Sequence, residues 1–354
     1  MKKAIALFLA AIMLFSLVAC GGGGNASDGY EIALVTDVGN IDDKSFNEGS
    51  WNGVKEFAEK NKKTYAYYRP SEDSTEARVE SIGQAVEKGA KAVVCPGFMF
   101  AETLDIVQAQ YPDVMFLGLD ISEGDMNSIS PNVALITYQE EQSGYLAGYA
   151  SVMDGFTKLG FLGGFDVPAV VRFGYGFVQG ANDAAAVKNV DVDINYWYGQ
   201  AFWPTDDAKI KMDSWYTGGT EIVFACGGGI LASAQAAAEE STTGKLIGVD
   251  VDQANISPLI LTSAVKGLTE STVIALEKLY ANKGTWPSEY SGKGTVLGAA
   301  DNSVGLPKGD SWRFENYTEA EYNELFKKVA SGEIKISDSF TERPNVSINV
   351  DYQD

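Results

Sequence analysis

The sequence predicts an α/β protein built as two doubly wound lobes. Three observations carry that expectation. From Tyr30 onward, short β-rich runs alternate with helical stretches, the rhythm of parallel strands covered by helices. The runs IALV, AVVC and IVFAC are almost continuously apolar, as strands buried on both faces should be. About ten such strands in 354 residues are too many for one simple sheet, and the length suits two cores.

In chain order, Glu31–Thr36 reads as a strand and Gly49–Asn61 as a helix, with Ser45 and Asn47 as candidate N-caps. Strand Thr64–Tyr68, helix Glu76–Lys88, strand Ala92–Cys95 and helix Ala101–Gln110 follow, and Val114–Leu119 and Val133–Thr137 complete a first sheet. Helix Gln139–Met153 opens the second lobe. It continues through strand Lys158–Leu162, helix Phe173–Val187, strand Asp193–Tyr198, helix Thr205–Thr217, strand Glu221–Ala225, helix Ile230–Ser241 and strand Lys245–Val249. Strand Leu259–Ala264, helix Lys266–Asn282 and strand Gly294–Gly298 come next. From Leu306 a loop leads to the amphipathic helix Glu319–Ser331 and a closing strand at GEIKI, with Leu325, Phe326 and Val329 at core spacing. No Pro- or Ser-rich linker separates the lobes, so the connection is expected to be a strand-like hinge. The expected division is 30–136 plus 258–290 for the N-terminal lobe and 137–257 plus 291–354 for the C-terminal lobe.

The N-terminus reads as an address. Lys2 and Lys3 precede an apolar run from Ala4 to Ala19 broken by Ser16, so residues 1–19 form a secretory signal. Leu17-Val18-Ala19-Cys20 resembles a bacterial lipobox, which makes Cys20 the expected acylated first residue of the mature chain. Residues 20–29 then form a lipidated tether, whose Gly-rich stretch GGGGNASDG spans roughly 15–18 Å. Loss of Lys2 and Lys3 takes the charge from 27 − 48 = −21 to 25 − 48 = −23. No later run of 18 apolar residues follows.

Composition excludes several classes of function. A chain this acidic lacks the cations that nucleic-acid phosphates require. With no His there is no His-based triad and no His-ligated metal, and three Cys without CxxC spacing make no structural zinc site. No cofactor or metal is expected. Cys95 and Cys226, 131 positions apart, each end an apolar run and read as two buried thiols rather than a disulfide.

In doubly wound sheets ligands bind beyond the carboxyl ends of the strands, so the loops after the strands carry the chemistry. They supply aromatics (Phe46, Phe98, Phe202, Trp203), an amide (Asn47), carboxylates (Asp37, Asp120, Asp250) and one ammonium (Lys266). Aromatics clamp a flat face, and carboxylates accept from amino groups, ring N–H or sugar hydroxyls. A base bearing a ribose presents that combination. Gly97 reads as wall beside Phe98. Gly227–Gly229 lack the Lys and spacing of a phosphate loop, and Gly228 reads instead as close backbone approach to ligand or to Phe202–Trp203. Arg172 either faces the cleft or pairs with an acidic neighbour.

The stretch DVGNIDDKSFNEGSWNG (Asp37–Gly53) resembles the opening motif of the basic membrane protein family of lipoproteins, typified by purine-nucleoside receptors of ABC transporters. PGFMFAETL, YPDVMFLGLD, GGFDVPAVVRFGYGFVQGA, CGGGI, IGVDVDQ and TSAVKG continue the resemblance in order over most of the mature chain. It implies a type I periplasmic-binding-protein fold, two Rossmann-like lobes joined by a three-stranded hinge, with a nucleoside held between them. It further implies that Phe46 stacks on the base, Asn47 bonds its edge and Asp120 accepts from the purine. Asp37 and Asp250 would hold ribose hydroxyls, and Lys266 would donate to the sugar. The chain departs from the family where it reads GQAFWPTDDAK: Phe202 and Trp203 are both candidates for the second stacking ring, with Trp203 favoured.

The resulting expectation is a monomeric, non-enzymatic receptor, lipid-anchored through Cys20 on the extracytoplasmic face of the bacterial membrane. Its partners are a nucleoside and an ABC permease, not nucleic acid. A binding protein for a sugar, autoinducer or pyrimidine nucleoside is the alternative. A glycosidic hydrolase built on paired carboxylates is a further one, although no positioned nucleophile and base are visible.

Overall fold

The computed structural model describes residues 29–353, so the signal, Cys20 and nearly all of the tether lie outside the described residues. Two sheets organise the chain. The first joins β1 (Ile32–Val35), β2 (Tyr65–Tyr68), β3 (Ala92–Pro96), β4 (Met115–Leu119), β5 (Val133–Tyr138) and β11 (Lys293–Leu297) in the order β11-β5-β4-β3-β1-β2. In the second, β6 (Lys158–Gly163), β7 (Asp193–Tyr198), β8 (Ile222–Cys226), β9 (Lys245–Asp250), β10 (Ile260–Lys266), β12 (Val304–Gly305) and β13 (Asn349–Tyr352) run β12-β10-β9-β8-β6-β7-β13. Apart from the antiparallel β12, every pairing is parallel. The expected α/β fold class is therefore borne out, and β1, β3, β4 and β8 are buried along their whole length.

The helices are α1 (Phe46–Asn61), α2 (Thr75–Glu87), α3 (Ala101–Gln110), α4 (Glu140–Asp154), α5 (Pro168–Lys188), α6 (Asp206–Thr217), α7 (Leu231–Glu240), α8 (Leu268–Ala281) and α9 (Glu319–Ala330). Helix α5 begins five residues earlier than expected because Pro168 sits in its first turn, where a missing N–H costs no bond. Helices α4 and α5 touch backbone to backbone. A Cβ added to Gly144, Gly148, Gly176 or Gly180 would stand 1.9–2.1 Å from a carbonyl oxygen of the facing helix. This contact fixes Glu140 on α4 against Arg172 on α5.

Among the described residues the chain crosses between lobes three times, at Tyr138–Glu140, Lys266–Leu268 and Leu297–Ala299. Hydrogen bonds tie the crossings together, from Gln139 N–H to the Leu297 carbonyl at 2.9 Å and between the Tyr138 and Ser271 hydroxyls at 2.6 Å. The first crossing begins two residues beyond the boundary expected at 136. The other two differ: β10 pairs with β9 in the second sheet, whereas β11 pairs with β5 in the first. The expected boundaries at 258 and 291 precede these strands, but the chain changes lobes only after each strand has run to its carboxyl end.

The GEIKI segment forms no strand. Ile334 and Ile336 pack half-buried on the core, and it is β13 that pairs with β7. Cys95 and Cys226 are free and buried, one in each sheet, as read from the sequence.

Candidate functional site

Stripped of its later additions, each sheet has the strand order 2-1-3-4-5. That order places a crevice where the winding reverses, beyond β1 and β3 in one lobe and beyond β6 and β8 in the other. The two crevices face one another across a single cavity. Of the predicted site residues, Asp37, Phe46, Asn47, Gly97, Phe98, Asp120, Phe202, Gly228, Asp250 and Lys266 line it.

Trp203 does not. It is 48% exposed, and among the described residues it meets the ring of Phe165 in a T-shaped contact at 6.0 Å. The inward ring belongs to Phe202, which corrects the preference read from the sequence. A side chain on Gly164 would collide with the Phe202 ring at 2.5 Å, and one on Gly227 would reach it at 3.2 Å. The Gly229 N–H also donates to the Phe202 carbonyl at 2.9 Å. The Gly-rich loop thus seats this aromatic by close backbone approach, one of the two roles read for it.

On the first lobe, the loop after β1 folds around carboxylates. Ser45 occupies the N-cap position of α1, but its hydroxyl does not cap. Asp43 does so instead, accepting from the backbone N–H of Ser45, Asn47 and Glu48 at 2.9–3.1 Å. The Asn47 amide donates to Asp37 Oδ1 at 2.8 Å and Asp43 Oδ2 at 3.0 Å, so both its protons brace the loop. Burial pushes the Asp37 carboxyl up to about 6, against bonds from Gly39 and Asn47 that favour the ionised form.

Asp120 follows β4 and Asp250 ends the equivalent strand β9, and both adopt left-handed backbone conformations, with φ of 60° and 66°. Between them lies Lys266 Nζ, at 2.5 Å from Asp120, 3.5 Å from Glu140 and 3.7 Å from Asp250. Burial alone would lower the lysine pKa, but the three carboxylates outweigh it and hold the ammonium above its ordinary range. Lys266 also stands 4.7 Å from the centre of the Phe46 ring. Arg172 extends the chain of charge through a 2.7 Å contact with Glu140, which settles its role as an acid's partner. Asp120 Oδ1 is buried and receives no hydrogen bond from the described residues.

Glu140 and Asp43 were not singled out from the sequence. Glu140 sits in YQEEQSG, where nothing local distinguishes it from a solvated helix start; only the hinge brings it to Lys266. Asp43 lies in the DxGxxDD loop and follows the N-terminal acidic preference of helices. The second lobe's apolar wall of Val167, Ala169, Val170 and Phe173 was also missed, because α5 was expected to begin later.

The family described as "Bmp: ABC transporter substrate-binding protein PnrA-like" matches residues 31–339. The chain belongs to the Bmp family. Similar proteins include "Basic membrane protein B" of Borreliella burgdorferi, 26% identical over 317 residues, covering 88% of this chain and 90% of that protein. "ABC transporter nucleoside-binding protein BmpA" of Lactococcus lactis is 28% identical over 245 residues, covering 66% and 68% of the two chains. Among solved structures, an ABC transporter solute-binding protein from Aeropyrum pernix K1 superposes with a TM-score of 0.74 at 20% identity, over 88% of this chain and 94% of that one. The last likeness confirms the fold expected from the resemblance. As a Bmp-family member the protein is a substrate-binding component of an ABC transporter, a non-enzymatic role on the extracytoplasmic side. No helix among the described residues is long and apolar enough to cross a membrane.

Proposed function

We propose that this Bmp protein captures a nucleoside, preferentially a purine, between its lobes and delivers it to an ABC permease while tethered through a lipid on Cys20. The observation that carries the reading is Asp120. The residue lines the cavity, its Oδ2 is held by Lys266, and its buried Oδ1 has no donor among the described residues. A buried acceptor left unpaired costs about 1–3 kcal/mol, and a ring N–H or exocyclic amino group would satisfy it. Phe46 and Phe202 supply apolar surface from opposite lobes for the base, and Asp37 and Asp250 supply acceptors for ribose hydroxyls. The name of the Lactococcus relative agrees with this ligand class.

A thermal-shift panel of purine and pyrimidine nucleosides, free bases and sugars tests the proposal. A nucleoside at a hundred times its Kd should add about 2.7 kcal/mol to stability. Stabilisation by sugars alone, with none from any nucleoside, would replace the proposed ligand class. Free base released from inosine by the purified protein would overturn the non-catalytic reading.

A further inference from the structure

The lobes also meet beside the cavity, at the two residues preceding Phe46. Ser45 Oγ donates to Asp250 Oδ2 at 2.5 Å, and Gln253 Nε2 donates to the Lys44 carbonyl at 2.8 Å. Lys44 and Ser45 belong to the first lobe's loop; Asp250 and Gln253 leave β9 of the second. Neither Ser45 nor Gln253 lines the cavity.

Gln253 is fixed firmly in its own lobe. It is 1% exposed, its Oε1 accepts from Val249 N–H at 2.8 Å, and its own N–H donates to Ser263 Oγ at 3.0 Å. Gly248 makes space for it, since a Cβ there would stand 2.4 Å from Oε1. That leaves the amide nitrogen directed across the gap. The carbonyl it reaches belongs to a residue in the left-handed region, with φ of 57° at Lys44, a conformation that a lysine adopts only when its surroundings hold it there. The next residue, Ser45, has given up the capping bond of its position in favour of Asp250.

We infer that Gln253 is a positioning residue: an inter-lobe latch that grips the Lys44 carbonyl and fixes the loop presenting Phe46 to the cleft. No ligand atom takes part in this bond. The latch therefore biases the open–closed equilibrium for every ligand by one common factor and leaves selectivity to the residues of the cavity wall. The inference rests on the cleft being the ligand site, and not on the ligand being a nucleoside.

Gln253→Met removes the inter-lobe donor at similar volume, together with the acceptor for Val249 N–H, and Lys44→Ala keeps the carbonyl while deleting the ammonium. Spin labels on the two lobes report their separation without ligand, and calorimetry with inosine, guanosine and thymidine reports affinity. Gln253→Met should populate the open state and weaken every nucleoside that binds wild type by the same factor, about two- to tenfold, the range of one net hydrogen bond. Lys44→Ala should match wild type in both measurements. An unchanged distance distribution in folded Gln253→Met, or a loss confined to one ligand, would overturn the latch. If Gln253→Met does not fold, Ser45→Ala removes the companion bond, and the same two readouts decide. Failure of wild type to bind any nucleoside would sink the proposed ligand class, and the distance measurement would still judge the latch.

Discussion

The two lobes share a strand order, and β4 and β9 each deliver an aspartate in the same left-handed conformation, yet their halves of the cleft differ in chemistry. The first lobe contributes Asp37, Asp43, Asn47 and Asp120 beside the rings of Phe46 and Phe98. The second contributes a mostly apolar wall, Val167, Ala169, Val170, Phe173 and Phe202, with Asp250 and Lys266 at its base. The paired aspartates differ as well. Asp250 receives the Ser45 hydroxyl across the gap, whereas Asp120 keeps one buried oxygen without a donor. Topology thus repeats the positions, and the loops decide the chemistry: one lobe lines the cleft chiefly with hydrogen-bonding groups and the other chiefly with apolar ones.

The strongest way to break this comparison is at the charge the halves share. Lys266→Met leaves Asp120, Glu140 and Asp250 without their common ammonium, and stranding buried charge typically costs about 3–5 kcal/mol. Chemical denaturation should show a loss of that size. A midpoint equal to wild type would mean that the carboxylates are not a buried network held by one cation.

Next in size is the pair of rings. Phe46→Ala and Phe202→Ala should each weaken the best nucleoside by about fivefold to a hundredfold, since stacking on an aromatic contributes about 1–3 kcal/mol per base. Circular dichroism should show both variants folded. Comparable losses would mean that the two lobes clamp one flat ligand, while a loss at Phe46 alone would reduce Phe202 to wall.

A smaller effect separates the halves by pH. The Asp37 carboxyl is raised to about 6 by burial, so its contribution to folding is fully present below the ordinary value of 3.8 and is lost as pH rises through 6. Ligand hydroxyls donate to the ionised form, so binding has the opposite sign. Affinity should strengthen severalfold between pH 5 and pH 7.5, and Asp37→Asn should remove that portion of the change. A profile identical in wild type and variant would take Asp37 out of ligand contact.

Much of this site was legible before the fold was known because strand ends are legible. Each apolar run closes on a short polar or Gly-rich segment, and Asp37, Gly97, Asp120, Gly228 and Asp250 occupy those ends. What escaped depends on distance in space. Glu140 meets Lys266 only because two hinge crossings lie side by side, and nothing local shows that Asn47, read as an N-cap or a contact to the base edge, gives both its amide protons to Asp37 and Asp43. The lobe assignment of β10 and β11 escaped for a related reason: hydrophobic pattern marks a strand without naming the sheet it joins.

The choice between adjacent Phe202 and Trp203 is the finest of these distinctions and gives the smallest expected effect. Both rings are candidates in the sequence, with Trp203 favoured. Backbone geometry decides otherwise: Gly164 and Gly227 leave space for the neighbouring ring, and the bond from Gly229 to the Phe202 carbonyl fixes the turn. With Trp203 48% exposed, Trp203→Ala should change affinity by less than about twofold, as surface substitutions usually shift free energy by no more than about 0.5 kcal/mol. Titration of the intrinsic fluorescence of the remaining tryptophans against nucleoside measures this directly. A tenfold loss in Trp203→Ala with Phe202→Ala unaffected would show that the loop turns over on binding and exchanges one ring for the other.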